Sequence, residues 1–176
     1  MTVDTRQFEA DDAERVRAFF VAVPERDRAF FKEDVTDPQV MAQRLGGDGV
    51  VRLAVDGGQV VGFASLSPGV ARASHVADLR LVVADSARRQ GLGTRLAQEI
   101  LLEALRHGFL KVTVDVAADN QATIEMFRRL GFDPEGLLRG QLRDGHGELR
   151  DVVLLAHLVE DQMSAMTLAG IENEVR

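Results

Sequence analysis

Apolar residues follow two different spacings along the chain. A helix places apolar side chains every three or four residues, whereas a half-buried strand places them at every second residue. By this criterion the sequence predicts strands at 3–8, 50–55, 59–66, 76–83, 110–116, 137–142 and 149–159. It predicts helices at 10–23, 25–32, 37–45, 93–107 and 122–130. A strand-helix-strand-helix segment between antiparallel partners implies an α/β fold: a mixed sheet with helices on both faces.

Turn-forming residues support these boundaries. Pro24 ends the first helix, and Asp37 followed by Pro38 is typical of a helix start. Asp56 and Gly57 predict the tight turn of a β-hairpin, because a type I′ turn needs positive φ values. Glycine-rich loops are expected at 46–49 and 143–147.

The size and composition predict one domain. The chain has 176 residues, of which 45% are hydrophobic and 28% charged, as in an ordinary globular protein. We assign the domain to residues 1–159. Residues 160–176 are acidic and only weakly periodic, so we expect a tail or a short helix there.

Missing residue types exclude several kinds of chemistry. The chain has no cysteine, which rules out disulfides, cysteine-ligated metals and a catalytic thiol. It has no tyrosine or tryptophan, and its four histidines lack the spacing of a metal site, so we expect no metal. The formal net charge of −7 disfavours nucleic acid and anionic membranes as partners. Without a long apolar run or a signal-peptide pattern, a cytoplasmic location is expected.

The segment most informative about function follows the strand at 76–83, where a short glycine-containing loop leads into a helix. Such a loop presents several backbone N–H groups to one point, which suits a pyrophosphate. The segment is not a Walker A loop, because no lysine follows either Gly91 or Gly93. It also lacks the third glycine of the dinucleotide fingerprint, where Leu96 stands.

The remaining pattern, Arg-x-x-Gly-x-Gly at 88–93, resembles the acyl-CoA loop of the GNAT superfamily of N-acetyltransferases. A second stretch also resembles that family: Asn120, then Met126 and Phe127, then Leu-Gly-Phe at 130–132. The predicted order of elements is that of the family as well. The resemblance implies a mostly antiparallel seven-stranded sheet whose central strands, at 76–83 and 110–116, splay apart to admit the cofactor.

The resemblance also implies a binding site for acetyl-CoA as the acyl donor. Backbone groups of Leu81, Val82 and Val83 would contact the pantetheine arm and polarise the thioester carbonyl. Asn120 would contact the pantetheine from the start of the next helix, and Phe127 would line the cofactor channel or lie in the core. The pyrophosphate would be held by Arg88, Arg89, Gln90, Gly91, Leu92, Gly93 and Thr94.

Two features of the catalytic chemistry stay open in the sequence. Many members of the family carry, at the position of Phe127, a tyrosine that protonates the departing thiolate, and here that hydroxyl is missing. The attacking amine must also lose a proton. By resemblance the base would be Asp115 or Asp78, either of them acting through a water, or a chain of waters alone. Both aspartates could instead be structural partners of Arg80 or Arg52.

The sequence therefore predicts an acyl-CoA-dependent N-acetyltransferase that transfers an acetyl group to a primary amine by direct attack. The alternative is a catalytically silent acyl-CoA-binding regulatory module. Acidic residues between 25 and 37 favour a cationic acceptor, either a small molecule or a protein amine. A homodimer formed through the last strands is also compatible with the resemblance.

Overall fold

The computed structural model of the protein describes residues 3–31, 33–37, 39–40, 47 and 49–159. The strands in these residues are β1 (Asp4–Gln7), β2 (Val50–Asp56), β3 (Gln59–Pro68), β4 (Val76–Val83), β5 (Lys111–Ala117), β6 (Asp133–Arg143) and β7 (Leu149–Leu158). The helices are α1 (Ala13–Ala22), α2 (Glu25–Arg28), α3 (Leu92–Arg106) and α4 (Gln121–Arg129). Short 3-10 turns precede α1 and follow α2.

All seven strands join one sheet in the order β1-β2-β3-β4-β5-β7-β6. Neighbouring strands are antiparallel except β4 and β5, which are parallel and lie at the centre. The pairing of β4 with β5 stops at Leu79 and Val114, although both strands continue beyond those residues. The mixed sheet and the splayed central pair are thus confirmed.

Two apolar clusters cover the two faces of the sheet. The α3 face includes Leu79, Leu96 and Val114, and the opposite face packs Phe20 of α1 against Phe63 of β3 with ring centroids 5.0 Å apart. Side chains alternate across a strand, so the odd-numbered residues of β4 join the first cluster and Val82 joins the second. Helices on both faces are therefore confirmed.

Most predicted boundaries agree with the structure. The hairpin turn has φ of +56° at Gly57 and +82° at Gly58, as a type I′ turn requires. The largest difference is β6, which begins at Asp133 because it already pairs there with Ala156 of β7. The helix predicted at 37–45 and the tail at 160–176 lie wholly or mostly outside the described residues.

Candidate active site

An opening in the sheet lies where β4 and β5 diverge. Beyond Leu79 the side of β4 that faced β5 has no strand partner in the described part of the chain, while its other side stays paired with β3 as far as Val83. Likewise, β5 stays paired with β7 as far as Ala117. The opening is therefore bordered by residues 80–83 on one side and 115–117 on the other.

The register shows which backbone groups face this opening. Ala84 donates its N–H to the Val61 carbonyl, 2.9 Å away. In an antiparallel pair, every second residue of a strand forms backbone hydrogen bonds with the residue opposite it, and the residues between them direct their backbone groups to the other side. Val82 therefore directs its backbone groups towards β3. Leu81 and Val83 direct theirs towards the opening, so they can contact a ligand there.

The loop after β4 leads into α3 with a left-handed turn. Arg89 has φ of +60° and Gly91, the N-cap of α3, has φ of +78°. Gly91 has no side chain to cap the helix, and the first N–H donation into the helix is from Arg95 to the Gly91 carbonyl. The N–H groups at 92–94 consequently have no acceptor within the helix. This arrangement can bind an anion.

The remaining side chains of the loop have local roles. Leu92 is buried in the core, and the Gln90 amide donates to the Ser86 carbonyl at 3.3 Å. Arg89 is exposed, and Gly93 and Thr94 are half-buried at the start of α3. The loop can thus hold an anion mainly through its backbone.

The Arg88 side chain contacts three other residues. Its Nε donates to the Val83 carbonyl at 2.9 Å, and its two terminal nitrogens contact Asp85 at 2.7 Å and Asp27 at 2.8 Å. The sequence suggested a pyrophosphate contact for this residue. That contact stays a prediction, and in the structure the guanidinium connects three parts of the chain.

Asp78 and Asp115 are brought together by Arg80. One guanidinium nitrogen of Arg80 lies 2.7 Å from the Asp78 carboxylate and 3.8 Å from that of Asp115. The Asp78 side chain is 39% exposed, whereas those of Asp115 and Arg80 are 5% and 4% exposed. Arg52 is not part of this group, because it pairs with Glu99 and Glu103 of α3.

Sequence reasoning treated Arg80 only as a possible partner of the two aspartates. Its Nε is buried and has no hydrogen-bond partner among the described residues. The available signal was an arginine between two leucines, Leu79 and Leu81, in a strand whose one other charged residue is Asp78, because a buried charge requires partners.

Asn120 and Phe127 have clear structural positions on α4. The Asn120 side-chain oxygen accepts from the Thr123 N–H at 3.2 Å, which makes it the N-cap. Phe127 is 2% exposed and packs edge-on against Phe132 at 5.0 Å. Contacts of either residue with a cofactor stay predictions.

The acidic segment that is expected to favour a cationic acceptor lies next to the turn between β6 and β7. The turn between β6 and β7 reaches α2, since a Cβ added at Gly145 would lie 2.3 Å from the Glu25 carboxylate. An open cavity of about 440 Å³ lies beside it, lined by Ala29, Glu33, Gln141, Leu142 and Arg143.

Two absences concern only the described part of the chain. No group of three or more potential metal ligands occurs there. Within the same residues, no helix is both long and apolar enough to cross a membrane.

The chain belongs to the GNAT acetyltransferase family, whose sequence model it matches over residues 13–132. It resembles the structure of a ribosomal-protein-alanine N-acetyltransferase from Brucella melitensis, with 26% identity, a TM-score of 0.77, and coverage of 88% of this chain and 99% of that one. A phosphinothricin acetyltransferase from Sinorhizobium meliloti, in complex with AcCoA, is 21% identical, with a TM-score of 0.75 and coverage of 90% and 89%. A ribosomal-protein-S18-alanine N-acetyltransferase from Escherichia coli is 20% identical, with a TM-score of 0.71 and coverage of 90% and 94%.

The residues present fit an acyl-CoA donor. The first turn of α3 has N–H groups for a pyrophosphate, and Leu81 and the Val83 N–H offer backbone groups to an extended amide-containing arm. The opening between β4 and β5 provides the passage in which that arm would lie.

Proposed function

We propose that this protein transfers an acetyl group from acetyl-CoA to a primary amine by direct attack of the amine on the thioester. The observation that carries the proposal is the opening between β4 and β5 beside the uncapped start of α3, in a chain of the GNAT family. A covalent acyl-enzyme on a thiol is excluded, because the chain has no cysteine.

Bound acetyl-CoA supplies a thioester, whose carbon the amine nitrogen attacks while the carbon–sulfur bond breaks. The chain's part is to hold this group in place. Backbone N–H groups at the start of α3 bind the pyrophosphate. The Val83 N–H, directed into the opening, is placed to polarise the thioester carbonyl.

Asp78 is the carboxylate that we assign to proton removal. An ammonium acceptor has an ordinary pKa near 10 and attacks only after losing a proton. The Asp78 side chain is 39% exposed and can pass that proton to solvent through a water, whereas that of Asp115 is 5% exposed. In this proposal Asp115 helps to balance the charge of buried Arg80.

The chain offers no tyrosine to protonate the departing thiolate. Phe127 is buried against Phe132, so it excludes water but donates no proton. A thiol has an ordinary pKa of about 8.5, so its thiolate is a tolerable leaving group at neutral pH and can take its proton from water.

A second candidate function is an acyl-CoA-binding regulatory module without turnover. Phe127 favours this function because it has no hydroxyl to protonate the departing thiolate. The ion pair between Arg80 and Asp78 also favours it, because a carboxylate bound to a guanidinium is a less available base. Both functions require acetyl-CoA binding, so turnover decides between them.

The acceptor class is proposed from charge and position. The net charge of −7 and the carboxylates of Glu25 and Glu33 beside the cavity favour a cationic amine, either a small molecule or a protein amine. Neither nucleic acid nor a membrane surface suits this charge.

Release of free thiol from acetyl-CoA tests the proposal. The panel contains polyamines, amino acids, aminoglycosides, lysine peptides and peptides with a free N-terminus, and the cysteine-free chain adds no thiol background. We expect one class to accelerate release well above hydrolysis. Binding of acetyl-CoA without acceleration by any class would support the regulatory module instead.

A further inference from the structure

Arg88 connects the loop that follows β4 to helix α2. Its Nη2 lies 2.8 Å from the Asp27 carboxylate, although the two residues are 61 positions apart in sequence. Its Nε donates to the Val83 carbonyl at 2.9 Å, and its Nη1 lies 2.7 Å from Asp85. One side chain therefore contacts the end of β4, the turn that begins the loop, and α2.

The planar guanidinium makes these contacts depend on one another. Its donors have a fixed relative geometry, so three simultaneous acceptors determine both its position and its plane. Two of these acceptors, Val83 and Asp85, flank the start of the loop within a few residues of Arg88. The third acceptor, Asp27, is the distant one, and it fixes the loop relative to α2.

Asp27 has no equivalent second partner among the described residues. The Arg26 Nε lies 3.9 Å from the Asp27 carboxylate, beyond hydrogen-bond distance, and the Arg26 side chain is 71% exposed. The Arg88 and Asp27 side chains are 36% and 24% exposed. The contact between Asp27 and Arg88 is thus shorter and better shielded from solvent than the one with Arg26, and it is the contact that can orient the loop.

We propose that Asp27 is a positioning residue for the acyl-CoA loop, acting through Arg88. This inference rests on the proposed function, because it assigns that loop to the donor. Among the described residues, the side-chain contacts of Asp27 are with Arg88 and Arg26 and not with the opening or the first turn of α3, so its effect on the donor is indirect. Since α2 also meets the β6–β7 turn at Glu25 and Gly145, the same contact links donor binding to the expected acceptor side.

The test is calorimetric titration of the purified full chain with CoA, comparing wild type with Asp27→Asn. The amide keeps the size of the side chain but removes its charge. We expect the Kd for CoA to rise about three- to tenfold, the range of a lost charge-assisted hydrogen bond that is partly solvated. At a saturating concentration of acetyl-CoA, the kcat of Asp27→Asn should stay within about twofold of the wild-type value. The high concentration then fills the donor site despite the weaker binding.

A matched control is Glu14→Gln on α1. It removes an ion pair to Arg17 at 3.1 Å that is more exposed and far along the chain from the loop. This variant should bind CoA as wild type does. Asp27→Glu keeps the carboxylate and should recover part of the lost affinity.

A double-mutant cycle tests the route through Arg88. In an Arg88→Gln background, Asp27→Asn should weaken CoA binding no further, because the contact is already absent. Additive losses in the cycle would overturn the route. If Asp27→Asn fails to fold, Arg88→Lys provides the test, since lysine keeps the charge but carries its donors on one nitrogen and cannot replace contacts made by three. This variant should weaken CoA binding as Asp27→Asn would, and wild-type affinity would overturn the proposal.

The two proposals fail differently. If wild type does not bind CoA, the proposed function is overturned. If wild type binds CoA and Asp27→Asn binds it equally well while remaining folded, only the role of Asp27 is overturned.

Discussion

Asp78 and Asp115 contact the same arginine, but only Asp78 has substantial access to solvent. We expect Asp78→Asn to lower kcat by roughly 100-fold, the lower range for loss of a general base, while the Kd for CoA stays unchanged. Steady-state kinetics and calorimetric titration measure the two quantities. Asp115→Asn is the comparison, and a larger loss of kcat there than in Asp78→Asn would reverse the assignment.

Asp12 is a second buried carboxylate, remote in sequence from the site. Two hydrogen bonds from Arg6, both 2.6 Å, and one from the Glu9 N–H lower the pKa of Asp12 from 3.8 to about 2, against the opposing effect of burial. A folded-state pKa below the unfolded value stabilises the fold above about pH 4, and this contribution is lost as the pH falls towards 2.

Asp12→Asn should therefore lower the free energy of unfolding by about 2 kcal/mol at neutral pH, and the difference from wild type should shrink as the pH falls from about 4 and vanish below about pH 2. Urea unfolding followed by circular dichroism measures it, since the chain has no tryptophan or tyrosine. Asp11→Asn, on the exposed neighbour, should have little effect. An equal loss in both variants would contradict the role of the Arg6 contact.

Single residues also show where sequence reasoning stopped. The type and spacing of Arg88 identified the loop, but its acceptors lie on elements that only the fold brings near. Asn120 was recognisable as a helix cap from its position alone, and it caps α4. Capping depends on neighbours in sequence, whereas the Asp27 contact depends on how α2 packs.

At the scale of elements, the start of α3 allows a paired test of its two glycines. Gly91 has φ of +78° and open space where a Cβ would lie, so Gly91→Ala adds only backbone strain, about 1 kcal/mol. A Cβ at Gly93 would meet side chains at 3.5 Å or more, which is ordinary contact.

We therefore expect Gly91→Ala to lower the free energy of unfolding and Gly93→Ala to leave it unchanged or slightly higher. Gly91→Ala should also weaken CoA binding, because the loop N–H groups shift with the turn. Urea unfolding and CoA titration of both variants are the measurements. Equal stability of Gly91→Ala and wild type would show that the left-handed turn is not maintained.

Element identity was largely predictable, and the reason is local. The strand predicted at 76–83 is β4 with the same bounds, and the Asp56-Gly57 turn has the expected conformation. Both follow from side-chain period and turn chemistry within a few residues. β6 was predicted too short because its first residues are ordered by pairing with β7.

At the scale of the whole molecule, donor binding should stabilise the fold. A ligand at about 100 times its Kd stabilises the native state by about 2.7 kcal/mol. For a chain of this size that corresponds to a rise in Tm of roughly 5–10 °C. Differential scanning calorimetry with CoA measures it.

NAD is the matched control for that experiment, because it carries a pyrophosphate and an adenosine but no pantetheine arm. The third glycine of the dinucleotide fingerprint is replaced by Leu96, which is fully buried in the core. We expect NAD to leave Tm unchanged. A shift with NAD equal to that with CoA would contradict a site built around the opening between β4 and β5.

The sequence by itself determined the elements, the loop that can bind a pyrophosphate, and the absence of a thiol or tyrosine hydroxyl. These properties are carried by residue type and by spacing over a few positions. Two motifs were enough to indicate the family and, through it, the splayed central strands.

Only the tertiary structure decided which charged groups meet. It placed Arg80 against both Asp78 and Asp115, left Asp78 the more exposed, and joined Arg88 to Asp27. Sheet order and helix packing bring such residues together across long stretches of sequence. An ion pair between two residues distant in sequence leaves no periodic pattern in the chain, because each of the two segments contributes only one residue to it.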